Sequence, residues 1–308
     1  MAENRSKKSA KYPEPLIVLP IKEHKQSFII LHGRGSSAQK FSEPFLSHAI
    51  TPLQSEGTTT SAAESPTFQS SFPHAKFVFP NAALRRAVIY HRSLTHQWFD
   101  NWSLDRPEYR QELQNEGLRE SSKFVHSLLQ KEIDIVGAPN VILIGLSQGC
   151  ATSLISLLTW EGQPIAGMLG MCGWLPLREM MAQNISDPGE EDNPFGVEED
   201  GMSENPKLAK LGETAVFLKQ ELELEEDDDH GSSPFSIPLQ HIPVFLGHGD
   251  EDVKVPCELG RKASKFLQDL EIRVEWNEYK KLGHWYSADM LRDMVRFIHT
   301  IPGWEEDS

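Results

Sequence analysis

The chain has 308 residues, 39% hydrophobic and 24% charged, a globular composition that excludes a fibrous or wholly disordered protein and leaves room for one large α/β domain or two small ones. Its net charge of −15 is localised: residues 187–229 hold 16 acidic side chains against 3 lysines, so the rest of the chain is near neutral and offers no electrostatic footprint for nucleic acid. No run approaches the roughly 18–20 apolar residues of a membrane span, and the three cysteines, Cys150, Cys172 and Cys257, are too widely spaced for a metal motif and fit a reduced, cytoplasmic protein.

In chain order, residues 1–14 read as a disordered, basic lead without the apolar core of a secretory signal or a Gly at position 2 for acylation, and the C-terminus carries no prenylation box. A single domain is expected over 15–303. Leu16–Leu19 and Ser27–Leu31 read as strands, and the second runs straight into His32-Gly33-Arg34-Gly35, a glycine-rich turn ahead of a helical stretch at Gln39–Ile50. Residues 55–71 are Ser/Thr-rich and read as a mobile loop; Lys76–Phe79 is a strand stopped by Pro80. Residues 81–104 show neither helical nor strand period but carry Tyr90, Trp98, Phe99 and Trp102, which either wall a pocket or pack onto the core. Asp105-Arg106-Pro107 has the N-cap and early proline of a helix start.

Val141–Ile144 is a buried strand, and it leads into Gly145-Leu146-Ser147-Gln148-Gly149 and a helical stretch at Cys150–Trp160. Ile165–Met171 is a further strand, followed by an acidic insertion over 187–238 in which Lys207–Glu225 has Leu208, Leu211, Ala215, Leu218 and Leu222 at helical steps. That helix could serve as a lid; the bland reading is a solvated acidic loop. His241–Leu246 and Ile272–Tyr279 are strands, Cys257–Leu270 and Ser287–His299 helices. Strands alternating with helices predict an α/β fold, a mostly parallel sheet with helices on both faces.

The pattern Gly-x-Ser-x-Gly between a buried strand and a helix is a nucleophile elbow: a tight turn lifts the serine above the sheet edge, where a Cβ at either glycine would meet its neighbours. A serine hydroxyl is a weak nucleophile, so it needs a base and a group to orient that base, and on such a sheet these follow in the order acid, then histidine. Asp252 lies beyond the strand at 241–246 and His284 beyond that at 272–279. Asp250 and Glu251 compete for the acid role, with loop spacing and the following Val-x-Val-Pro favouring Asp252. His248 precedes the acid and His299 ends a helix, which leaves His284 as the candidate base. Two backbone donors are expected to face an oxyanion, the N–H of Gln148 and that of Arg34.

Taken together, His32-Gly-Arg-Gly35, Gln97-Trp-Phe-Asp100, Gly145–Gly149, Cys172-Gly-Trp-Leu-Pro176, His248-Gly-Asp-Glu-Asp252-Val-Lys-Val-Pro256 and Gly283-His284 resemble the acyl-protein thioesterase / phospholipase–carboxylesterase family of serine hydrolases, over about residues 27–299. The resemblance implies an α/β-hydrolase fold, a Ser147–Asp252–His284 triad, Arg34 and Gln148 as oxyanion donors, and Trp98, Phe99 and Trp174 as substrate-binding side chains. It implies no metal or organic cofactor, a monomer or weak dimer, and hydrolysis of S-acylated protein thioesters through an acyl-serine intermediate. The alternative substrates are small or lysolipid esters. The chain departs from the family at Ser36, usually Asp, at Cys150, usually Gly, and in its acidic insertion; substrate choice is what these departures bear on.

Overall fold

A computed structural model describes residues 11–51, 65–103, 106, 109–186, 206–224 and 238–306. In chain order the strands are β1 (Leu16–Val18), β2 (Gln26–Leu31), β3 (Ala75–Phe79), β4 (Leu84–Ala87), β5 (Ser93–His96), β6 (Val141–Leu146), β7 (Gly167–Met171), β8 (Val244–Gly249) and β9 (Val274–Tyr279). The helices are α1 (Ala38–Ser47), α2 (Phe68–Ser71), α3 (Glu112–Val136), α4 (Gln148–Leu158), α5 (Arg178–Ser186), α6 (Pro206–Glu221), α7 (Cys257–Asp269) and α8 (Ala288–His299).

Seven strands form one sheet in the order β1-β3-β2-β6-β7-β8-β9, and every pairing is parallel except the edge pair β1–β3. The central strands are apolar along their whole length because both faces are covered. In β6, Val141 and Leu143 pack on one side with α3, α4, α6 and α7, while Ile142, Ile144 and Leu146 pack on the other with α1 and α8. Phe28 and Ile30 against Ile29 and Leu31 repeat that alternation in β2. This is the doubly covered α/β sheet expected from the sequence.

Four local outcomes differ from the sequence reading. Residues 81–104 contain an antiparallel ribbon, β4–β5, paired Leu84↔His96 through Ala87↔Ser93. Its turn passes through His91 and Arg92, both with positive φ (51° and 62°), so the usual Gly or Asn signal of such a turn is missing. α3 begins at Glu112, with Gln111 at its N-cap and no side-chain cap; of the start expected at Asp105-Arg106-Pro107, only Arg106 is among the described residues. The end of the Ser/Thr-rich segment forms α2, where Thr67 and Ser70 cap each other reciprocally and Phe68 is buried; the part over 52–64 lies outside the described residues.

At the N-terminal end, Tyr12 stacks on Phe124 at 4.1 Å and its hydroxyl lies 3.0 Å from Ser121 Oγ, so this part of the lead is seated on α3; residues 1–10 lie outside the described residues. Within the acidic insertion, α6 buries Leu211, Ala215 and Leu218, and the turn after it Leu222, in the core on the α4 side of the sheet. Lys219 pairs with Glu161 just beyond the C-terminal end of α4, and Arg119 of α3 pairs with Glu223. The end of α6 is thereby held at the far end of α4 from Ser147. The flanking stretches 187–205 and 225–237 lie outside the described residues.

Candidate active site

β6 delivers Ser147 into a positive-φ conformation, φ 57° and ψ −119°, at the N-cap of α4. L-residues avoid that region, so the surrounding packing must enforce it. Two glycines make this possible. A Cβ on Gly145 would lie 2.5 Å from Cys150 N, and one on Gly149 would lie 2.4 Å from Leu31 O and 2.8 Å from His32 O. These are backbone atoms of β2, of the residue that follows it and of α4, which cannot yield without separating the helix from the sheet. Gly149→Ala is therefore expected to destabilise the protein by about 3 kcal/mol or more. Thermal unfolding should show this as a midpoint roughly 5–10 °C lower; an unchanged midpoint would mean that the turn relaxes freely.

Ser147 Oγ lies 2.9 Å from His284 Nε2, and His284 Nδ1 lies 2.7 Å from Asp252 Oδ2. With the carboxylate as acceptor, the network assigns the proton to Nδ1, which leaves the Nε2 lone pair to accept from the Ser147 hydroxyl. Asp252 is buried, and its Oδ1 accepts from the N–H groups of Lys254 and Val255 at 2.9 Å each. Burial by itself raises the Asp252 carboxyl. Hydrogen bonds from His248, His284 and the Val255 N–H outweigh it and hold the group well below the usual carboxylate range. Asp250 and Glu251, the competing acids, are exposed, and the Asp250 carboxylate serves Lys280 and the Lys281 N–H.

The turn after β2 closes on the same point, with a Cβ at Gly33 falling 3.3 Å from Ser147 Cβ. Gly35 N–H donates to His96 O at 2.8 Å and Ser36 N–H to Gly33 O at 3.2 Å. The Arg34 N–H has no acceptor among the described residues, and Gln148, the first residue of α4, has an N–H with no partner inside its own helix. Both N–H groups are thus left without a protein acceptor among the described residues. The Arg34 guanidinium turns aside, over the Tyr90 ring at 6.0 Å.

Gln148 has a second task that sequence reasoning missed. Its side-chain Oε1 accepts from Trp98 N at 2.9 Å and its Nε2 donates to Phe99 O at 2.7 Å, which ties the 97–100 loop to the start of α4. Trp98 Nε1 donates to His32 O at 2.8 Å, and burial pushes the His32 imidazole down to about 4, so it stays neutral. Trp98, Phe99 and Trp174, the expected substrate-binding side chains, are all buried in the core, where Phe99 meets Trp174 edge-on at 5.9 Å. Among the described residues their side chains are core residues, whereas Tyr90 and Trp102 of the same stretch are exposed. Among the described residues, Val253 and Trp285, which follow Asp252 and His284 in the chain, are exposed apolar side chains.

Cys172, Asp252 and His284 form the one grouping of potential metal ligands among the described residues, their donor atoms lying within 4.8 Å of one another. Other bonds engage them. Burial pushes the Cys172 thiol up to about 12, and its S–H donates to Trp285 O at 3.3 Å, while His284 Nδ1 is held by Asp252.

Comparisons with known proteins show what the chain is similar to. A family model described as phospholipase/carboxylesterase matches residues 55–191 and 227–301. Acyl-protein thioesterase 1 of Cryptococcus neoformans is 28% identical over 295 residues, covering 95% of this chain and 90% of that protein. The Saccharomyces cerevisiae acyl-protein thioesterase 1 is 26% identical over 287 residues, with 92% and 95% covered. Among solved structures, Zea mays acyl-protein thioesterase 2 superposes with a TM-score of 0.61 at 19% identity, covering 94% of this chain and 99% of that one.

Proposed function

The chain belongs to the phospholipase/carboxylesterase family of hydrolases, and from that premise we propose that it is a serine hydrolase that cleaves acyl thioesters, with S-acylated proteins as substrates. The observation that carries the serine mechanism is the unbroken relay from Ser147 Oγ through His284 to Asp252. His284 Nε2 takes the hydroxyl proton as Ser147 attacks the acyl carbonyl. The N–H groups of Arg34 and Gln148 hold the oxyanion of the tetrahedral intermediate. The imidazolium, stabilised by Asp252, then protonates the leaving thiolate and the acyl-serine forms. Water enters, gives its proton to the same nitrogen and attacks the acyl carbon; the imidazolium then returns that proton to Ser147 Oγ as the acyl–oxygen bond breaks, releasing the carboxylic acid and the free serine. The names of the matched relatives support an acylated protein substrate, and exposed Val253 and Trp285 supply apolar surface beside the relay.

A second reading, a carboxylesterase acting on small or lysolipid esters, is favoured by the burial of Trp98, Phe99 and Trp174, which leaves those three unavailable to a long chain. Steady-state hydrolysis of a palmitoyl thioester and of a butyryl oxygen ester separates the two. Each methylene buried contributes about 0.8 kcal/mol, so enclosing only about two more gives the thioester a roughly tenfold higher kcat/KM. That preference is the expected result; faster turnover of the short ester would replace the thioesterase reading with the esterase one.

A further inference from the structure

His248 is the penultimate residue of β8 and 1% exposed. Its imidazole occupies a slot opened by Gly260 of α7, where a Cβ would come within 2.5 Å of Nδ1 and 2.8 Å of the Trp276 ring. The other nitrogen, Nε2, lies 2.9 Å from Val255 O and 3.2 Å from Asp252 Oδ2. Both neighbours are pure acceptors, so Nε2 carries a proton and donates to the two together.

The Asp252 carboxylate is consequently gripped on both oxygens. Oδ1 takes two backbone N–H groups, and Oδ2 takes His284 Nδ1–H and His248 Nε2–H. The terminal torsion of an aspartate is broad and roughly two-fold. Contacts at Oδ1 alone would let Oδ2 swing about that anchor, away from His284. A second donor at Oδ2, mounted on a buried strand, fixes the carboxylate plane. The bond to Val255 O also closes the loop that carries Asp252.

We propose that His248 is a positioning residue that holds the Asp252 carboxylate in the orientation His284 requires; this rests on the reading of Ser147, His284 and Asp252 as the catalytic relay. The test compares His248→Gln with His248→Asn. A glutamine amide nitrogen can occupy the place of Nε2, whereas the asparagine nitrogen matches Nδ1 and falls short of Asp252. Both are polar, both fit the slot, and kcat is normalised to the folded fraction read from thermal melts. The expected result is a kcat about 10- to 100-fold lower for the Asn variant, the size of a lost hydrogen bond to a charged group, with KM unchanged and most of the loss restored by Gln. Equal impairment of both variants, or a wild-type kcat in His248→Asn, would overturn the proposal. Ser147→Ala is measured alongside: turnover retained there would instead overturn the relay on which it rests.

Discussion

Replacing Ser147 with alanine should lower kcat by roughly 10⁵- to 10⁶-fold, the full effect of removing a nucleophile whose base then has nothing to activate. The substitution deletes one oxygen and keeps the Cβ. The positive-φ backbone at this position (φ 57°) is therefore no more strained than before, and the lost hydrogen bond to His284 is partly solvent-accessible. The melting midpoint should consequently stay close to that of the parent. The residual rate should reflect water attacking directly, aided by His284 and the Arg34 and Gln148 donors. Turnover within about tenfold of the parent would show that another group is the nucleophile.

Asp252→Asn should lower kcat by about 10⁴-fold, the size found where this change traps the wrong tautomer in a serine triad. The two carboxylate oxygens have different partners, and these decide which way the amide lies. Two backbone N–H groups, those of Lys254 and Val255, require an acceptor at the Oδ1 position. The amide NH₂ is thereby driven to the Oδ2 position, 2.7 Å from His284 Nδ1, where His248 Nε2–H gives up this acceptor and keeps Val255 O. Facing a donor, Nδ1 must accept, which moves the imidazole proton to Nε2. The base then presents N–H to Ser147 and can no longer take its proton. KM should change little, since Asp252 is buried and does not reach substrate. Raising the pH should partly restore the rate if hydroxide can take over the proton; a kcat within about threefold of the parent would mean that Asp252 neither orients nor stabilises His284.

The elbow at 145–149 was legible in the sequence because everything that defines it is local: an apolar run, glycines two residues either side of Ser147, and a helix directly after. His284 and Asp252 were legible as well, since a parallel sheet carries its functional loops at strand ends and the order acid-then-histidine survives in the chain. The strands followed from continuous apolar runs, which a sheet covered on both faces demands. Other features had no local signal. The β4–β5 ribbon turns through His91 and Arg92, side chains that ordinarily avoid positive φ, so nothing in residues 81–104 announced it. The fate of Trp98 and Phe99 depended on what packs over them; composition cannot distinguish a pocket wall from core, and Gln148 anchors that loop across 50 residues of chain. His248 failed as a base by its position before the acid, and its bond to Asp252 depends on a slot made by Gly260 and Trp276. Short-range periodicity and turn chemistry thus determined the elements and the order of the reactive groups. The tertiary structure alone decided which buried polar atoms meet, because those hydrogen bonds join residues far apart in the chain.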